Sequence, residues 1–279
     1  MGSHDVRLAP AGTRRLSGPA LALARSIALL SILAATSPRL ARGAGETPAA
    51  PLRLELIDTP TAQVLPRGSY DFSLRLLGDG AALLGTRVGI FDPFTIGFSY
   101  GGSNILGGGD PVWNPRIEFE SKLRLFREGV MPGLAVGYNS QGLGKYDDDW
   151  DRYELKSRGA YAALGKTYTF LGYLAVHGGA SISFEDGDRD NGPTLFGGIE
   201  KSLGDLVVFL AEYDIASNDN KMNGAYGRGR GYLNACFSWA VSEQLSLDVE
   251  LRNLADNGEL NESLGEWNRE IRLRFMDFF

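Results

Sequence analysis

Short and long connectors alternate along most of the chain. The short ones span residues 91–94, 127–132, 169–172, 202–205 and 240–244. The long ones span residues 102–115, 142–156, 185–193, 217–229 and 254–267. An antiparallel sheet that crosses a bilayer has tight turns on one side and long loops on the other. A soluble sandwich has no such requirement, so the pattern predicts a transmembrane β-barrel, with the short connector at 78–80 as an exception.

The segments between these connectors alternate between apolar and polar residues. In residues 116–126, RIEFESKLRLF, the apolar side chains fall on one face of a strand and five charged ones on the other. Residues 245–253 repeat the pattern, and so does the end of the chain. Five ionisable groups are hard to bury in a sandwich core, but they can line a wet barrel lumen.

We therefore predict an all-β fold, a single antiparallel transmembrane β-barrel of about 12 strands arranged as an up-and-down meander. An even strand number is the rule for single-chain bacterial barrels. The expected strands cover residues 70–77, 83–91, 94–101, 116–126, 133–141, 157–168, 172–184, 194–202, 206–216, 230–239, 245–253 and a last strand that carries Ile271, Leu273 and Phe275.

The N-terminus has the features of a secretory signal peptide. Arginines precede an apolar stretch at residues 26–35, and small residues suit cleavage after Gly43. The predicted organisation is a signal peptide at 1–43, a short periplasmic N-terminal segment at 44–68 and an outer-membrane β-barrel at 69–279. The expected location is the cell outer membrane, with the long loops facing outward.

Charge and cysteine content exclude some functions. Residues 1–43 contain six arginines and one aspartate, which leaves the rest of the chain with 22 basic and 33 acidic side chains, a net charge of −11. An acidic protein repels nucleic acid, so we expect no nucleic-acid partner. The single cysteine, Cys236, permits no internal disulfide. The expected partners are outer-membrane lipid and lipopolysaccharide.

Charged residues on the predicted inner face are candidates for lining the lumen and would set any selectivity. They are Arg75, Glu118, Glu120, Lys122, Arg124, Glu212, Asp214, Glu250, Arg252, Arg272 and Arg274. Because both signs are present, opposite charges are expected to pair across a narrow barrel and to plug it. We therefore expect little or no conductance from the unmodified protein.

The last strand resembles a recognition signal for the outer-membrane insertion machinery. That signal is a terminal aromatic residue preceded by alternating apolar residues, and Phe275 and Phe279 fit it. Asp277 departs from it, because this position is usually apolar or aromatic. The insertion machinery is thus a further expected partner.

Several short stretches of the chain resemble one known family. They are residues 59–62 (TPTA), 65–76 (LPRGSYDFSLRL), 99–102 (SYGG), 113–116 (WNPR), 139–142 (NSQG) and 211–214 (AEYD). Across residues 52–214 the chain resembles the YjbH-like outer-membrane β-barrel proteins. The resemblance implies an association with exopolysaccharide production and with polysaccharide export proteins. It supplies no catalytic residues, and this chain is much shorter than the multi-domain members.

Catalysis and metal binding have only weak candidates. His177 and Ser181 share a strand face, but their spacing of roughly 13 Å along the strand is too long for a hydrogen bond. We expect no enzyme activity and no cofactor, with a barrel hydrolase as an unfavoured alternative. The acidic loop at residues 147–151 could bind Ca²⁺ or bridge lipopolysaccharide through Asp147, Asp148, Asp149 and Asp151. The alternative is a solvated loop that binds no ligand.

Two functions stay open from the sequence. The first is a narrow channel or an accessory to export of a surface polysaccharide. The second is a structural or surface-binding barrel that acts through its acidic outer loops.

Overall fold

A computed structural model describes residues 51–190, 192–219, 227–258 and 268–279 of the chain. The predicted signal peptide at 1–43 lies outside the described residues. No helix within these ranges is long and apolar enough to cross a membrane.

Fifteen strands are described, and twelve of them form one barrel. They are β1 (Ser69–Leu76), β2 (Ala82–Phe91), β3 (Phe94–Ser103), β4 (Val112–Trp113), β5 (Glu118–Phe126), β6 (Gly133–Asn139), β7 (Leu143–Asp147), β8 (Arg152–Leu155), β9 (Gly159–Thr169), β10 (Tyr173–Ile182), β11 (Thr194–Ser202), β12 (Val207–Asp214), β13 (Tyr232–Ala240), β14 (Leu245–Arg252) and β15 (Asn268–Phe278).

All strands except β4, β7 and β8 belong to the barrel wall, and each wall strand pairs antiparallel with both of its neighbours. Strand β1 pairs with β2 on one side and with β15 on the other, which closes the barrel. The predicted all-β, 12-stranded antiparallel barrel is confirmed. Short turns lie at one end, which we call the turn end, and long loops lie at the other, the loop end.

Three small elements at the loop end were not predicted. Strand β4 pairs with the end of β3, and a single 3-10 turn spans Gly78–Gly80. Strands β7 and β8 form a hairpin of their own within the connector that the sequence indicated only as a loop. These pieces are too short for a recognisable period of alternation, because two to five residues give little pattern to read.

The two faces of the wall differ in chemistry. On β5, Leu123 keeps 36% of its surface exposed on the outside, whereas the adjacent Lys122 keeps 1% on the inside. Other outward residues are also large and apolar, among them Phe72, Leu84, Phe98, Leu164, Val176, Leu233, Phe237 and Ile271. Monomeric soluble proteins rarely expose a continuous belt of large apolar side chains. The belt matches the lipid-facing band of a membrane barrel.

Candidate functional site: the filled lumen

An N-terminal hairpin occupies the interior of the barrel. The backbone N–H of Leu56 donates to the carbonyl oxygen of Thr59 at 2.9 Å, and that of Thr61 donates to Leu54 at 3.0 Å, so the chain reverses at Ile57 and Asp58. Leu54, Leu56 and Ile57 are almost completely buried. We call residues 53–65 the lumen hairpin.

The lumen hairpin enters from the turn end. Arg53 contacts Ser238, near the turn end of β13, and the backbone N–H of Leu65 donates to Thr95 beside the β2–β3 turn at 2.9 Å. Asp58, at the tip, contacts Arg252 near the loop end of β14. Residues 44–68 were expected in the periplasm. Residues 53–65 lie instead inside the barrel, where Arg53, Glu55 and Asp58 form ion pairs with inward-facing side chains.

Glu55 is held between arginines of two strands. Its Oε1 lies 2.6 Å from Arg272 Nη1, and its Oε2 lies 3.0 Å from Arg87 Nη2. Arg274 approaches the same carboxylate at 3.8 Å. Asp58, at the hairpin tip, is also held by wall arginines: its Oδ1 lies 2.8 Å from Arg75 Nη1, and its Oδ2 pairs with Arg252. Pairs of this kind hold a desolvated carboxylate only when the guanidinium donors are fixed in place.

Carboxylates of the wall hold those guanidinium groups in position. Arg75 lies 2.7 Å from Glu250 and 2.8 Å from Glu270. Arg272 lies 3.0 Å from Glu250, and Arg274 lies 2.9 Å from Asp248. The sequence predicted pairing across the lumen between wall residues. In the structure these arginines pair with carboxylates on the same side of the wall, one or two strands away, and with the lumen hairpin, because the hairpin separates opposite walls.

Glu212 binds the tip of the lumen hairpin. Its carboxylate accepts hydrogen bonds from the backbone N–H groups of Ile57, Asp58 and Thr59 at 2.9 to 3.0 Å, and from the Thr59 hydroxyl at 2.8 Å. Asn234 donates to the same carboxylate at 2.8 Å. One wall residue thereby satisfies three buried backbone donors of the turn.

The wall opposite the arginines is lined with small residues that leave room for the hairpin. Ala135 and Ala163 are fully buried on β6 and β9. A Cβ on Gly165 would lie 3.6 Å from the Cβ of Ala62. On the arginine side, a Cβ at Gly89 of β2 would lie 1.9 Å from the carbonyl oxygen of Pro66, so a side chain there is incompatible with the path of the chain into the barrel.

The remaining predicted lumen residues have different partners. Lys122 donates to the carbonyl oxygen of Leu54, and Glu120 lies 2.6 Å from Arg87. Arg124 lies instead at the turn end, half-exposed and 3.6 Å from Asp92 of the β2–β3 turn.

The β7–β8 hairpin lies across the loop end of the barrel, and we call it the lid. The Tyr153 hydroxyl donates to Glu118 on β5 at 2.9 Å. The adjacent Arg152 lies 2.8 Å from Asp219, which accepts a 2.6 Å hydrogen bond from Tyr232 on β13. Strands β5 and β13 are on opposite sides of the twelve-stranded wall. The lid therefore spans the mouth.

Acidic residues of the connector after β10, at the loop end, contact the lid. Burial opposes ionisation of Asp188, but its hydrogen bond with Lys156 and the charge of Arg152 more than offset this, so the pKa of Asp188 is below its ordinary value. Burial raises the pKa of Glu185, although its carboxylate accepts backbone hydrogen bonds from Tyr153 and Ser157. Asp188 pairs with Arg152 of the lid at 2.5 Å and with Lys156, which follows the lid, at 2.7 Å.

The candidate metal ligands do not converge. Asp147 accepts the backbone N–H of Asp149, and Asp151 accepts the hydroxyl of Tyr146. In the described parts of the chain, the one set of three potential ligands that meet is Cys236, Asp248 and Glu250. Arginines engage both of those carboxylates.

His177 and Ser181 both face the lumen and are buried. His177 Nε2 lies 4.0 Å from Glu200, and neither ring nitrogen has a hydrogen-bond partner among the described residues. Phe279 is exposed at the turn end, where its backbone N–H donates to Gly68 and its ring lies 5.1 Å from that of Tyr70. Phe275 is a half-exposed outward residue of β15.

No protein-family model and no curated protein matches the sequence. Solved structures with a similar course include the KdgM porin, with a TM-score of 0.48 and 11% identity over 76% of this chain and 99% of that chain. The NanC porin has a TM-score of 0.39 and 9% identity, covering 76% and 98%. Outer membrane phospholipase A from Escherichia coli has a TM-score of 0.32 and 11% identity, covering 77% and 97%. Likenesses this remote do not transfer a function.

Proposed function

We propose that the protein is an outer-membrane channel that its own lumen hairpin holds closed. The observation that carries the proposal is the polar attachment of that hairpin. Glu55 and Asp58 pair with wall arginines, and Glu212 binds the tip through backbone hydrogen bonds. The apolar outer belt supports the membrane location, and the turn end would face the periplasm.

Polar attachment favours a removable plug over a permanent core. Apolar residues of similar volume often fill a protein interior with equal or greater stability than buried ion pairs. A wall that carries Arg75, Arg272 and Glu250 can be hydrated when the hairpin withdraws. An apolar wall would instead favour dewetting of the lumen.

Planar-bilayer recording tests the channel. The protein lacking residues 51–65 should give steady currents, whereas the intact chain should give almost none. Heat-modifiable migration on a gel is the control for a folded barrel. A folded, heat-modifiable deletion protein that conducts no more than the intact chain would contradict the proposal.

A covalent lock adds a matched comparison. Leu56 and Cys236 belong to one buried cluster with Ile57 and Leu210. In Leu56→Cys, oxidation should join the hairpin to β13 and abolish the rare openings of the intact chain. Reduction should restore them, since it releases the hairpin without altering the sequence.

Membership of the YjbH-like family, with an accessory role in polysaccharide export, is a second proposal. Its support is the set of sequence stretches from TPTA at 59–62 to AEYD at 211–214. Loss of surface polysaccharide on deletion of the gene, restored by the intact gene, is the expected result. Unchanged polysaccharide would contradict this role and leave the channel proposal standing.

A further inference from the structure

Arg158 contacts the tip of the lumen hairpin and lies in the connector between the lid and the barrel wall. It lies three residues after the end of the lid strand β8 and immediately before β9, where the lid joins the wall. Its Nε donates to the carbonyl oxygen of Asp58, at the hairpin tip, over 3.3 Å. Its Nη1 pairs with Asp214 at the loop end of β12. One side chain thus contacts the tip of the plug and the frame of the mouth.

This chain of contacts continues to the lid through the ion pair between Arg152 and Asp219, which we call the lid latch. Asp214 Oδ1 accepts the backbone N–H of Ala216 at 2.8 Å, and the turn that begins there brings the N–H of Asp219 to the carbonyl oxygen of Ala216 at 3.0 Å. Asp219 then pairs with Arg152 of the lid at 2.8 Å. A displacement of the lid therefore acts on the same short segment that fixes Arg158.

Apolar packing joins the same parts. Leu155 of the lid forms a buried cluster with Ala216 and Tyr232. The lid cannot leave the mouth without uncovering this cluster. The lid and Arg158 therefore both depend on the segment from Asp214 to Asp219, so a movement of the lid can reach the lumen hairpin through it.

We propose that Arg158 is a positioning residue that couples the lid to the lumen hairpin, so that release of the lid loosens the plug. The biological role of this coupling rests on the proposed channel function. Its geometry, the Asp58–Arg158–Asp214 contact, stands independently of conduction. In this arrangement a ligand that displaces the lid from outside would act on the plug without touching it.

Hydrogen exchange measured by mass spectrometry tests the coupling without any current. The readout is exchange of the hairpin amides that bond to Glu212. Arg152→Gln, which removes the lid latch, should accelerate this exchange by about tenfold, within the usual range of coupling between two sites. In the Arg158→Gln background, the same change should accelerate exchange less than about twofold, because the link is absent.

Controls separate coupling from general damage. Arg228→Gln breaks an exposed ion pair with Asp256 at the same end of the barrel and should leave hairpin exchange unchanged. Protection of the β9 and β10 amides reports an intact wall in every variant, and Asp219→Asn breaks the latch from its other side if Arg152→Gln fails to fold. Equal acceleration with and without Arg158, or no acceleration by either latch variant, would overturn the coupling. Conductance of the protein lacking residues 51–65 would still decide the channel proposal separately.

Discussion

Glu55 Oε1 lies 2.6 Å from Arg272 Nη1, although 217 positions separate the two residues. The contact joins the start of the described chain to its last strand, inside the barrel. Arg272 also holds Glu250, so it keeps one anionic partner when Glu55 leaves. The contact can therefore break and re-form, because Arg272 keeps an anionic partner whether or not Glu55 is bound.

Glu55→Gln should raise the opening frequency of the intact channel. The substitution removes the charge that faces Arg87 and Arg272, and the loss of a charge-assisted hydrogen bond costs about 1.5–3 kcal/mol. Single-channel recording measures the opening frequency. Glu243→Gln, on an exposed turn, is the control and should leave the frequency unchanged. Fewer openings in Glu55→Gln than in the unmodified protein would contradict the assigned role.

Glu212→Gln should loosen the hairpin tip. An amide offers a single acceptor oxygen to donors that now share a carboxylate, so at least one buried N–H group loses its partner, at about 1–3 kcal/mol. We expect faster reaction of Cys236 with N-ethylmaleimide, because Leu56 and Ile57 cover that thiol. Labelling no faster than in the unmodified protein would argue against Glu212 as the anchor of the tip.

Ala62→Phe should expel the hairpin without any change of charge. The Cβ of Ala62 already lies close to Gly133 and Gly165, and overfilling a packed interior costs about 1–3 kcal/mol. The expected results are faster Cys236 labelling and higher conductance. Arg67→Phe adds an aromatic ring at an exposed position nearby and should have neither effect. If both variants behave alike, ring size at Ala62 is not the cause.

Leu123→Arg should impair insertion, whereas Lys122→Leu should not. A cation on the lipid face costs roughly 2–4 kcal/mol at the bilayer centre and less toward the interfaces. Leu123 pairs with Phe94 beside the β2–β3 turn, so we expect a cost below that upper range. Lys122 points inward, and its loss removes one hydrogen bond to the hairpin at Leu54. Refolding into lipid vesicles under a urea titration measures both. Equal midpoints for the two variants would mean that the faces of β5 are assigned wrongly.

The barrel was predictable from the sequence because each wall strand carries its own evidence. Alternation along residues 116–126 assigns Leu123 and Lys122 to opposite faces from local geometry alone. Connector lengths then give the order and direction of the strands, since neighbours in sequence are neighbours in the sheet. Even the strand number followed from these two local properties.

Only the tertiary structure decided what fills the lumen. Residues 53–65 lack the length and alternation of a wall strand, and nothing local shows that Glu55 will meet Arg87 and Arg272. Inward small residues such as Ala135, Ala163 and Gly165 were a signal in the sequence that one wall has room for a plug. The lid also needed the closed barrel, because Tyr153 and Arg152 reach strands on opposite sides of the mouth. Contacts between distant segments depend on where the closed wall places their side chains, and the spacing of residues along the chain does not encode that placement.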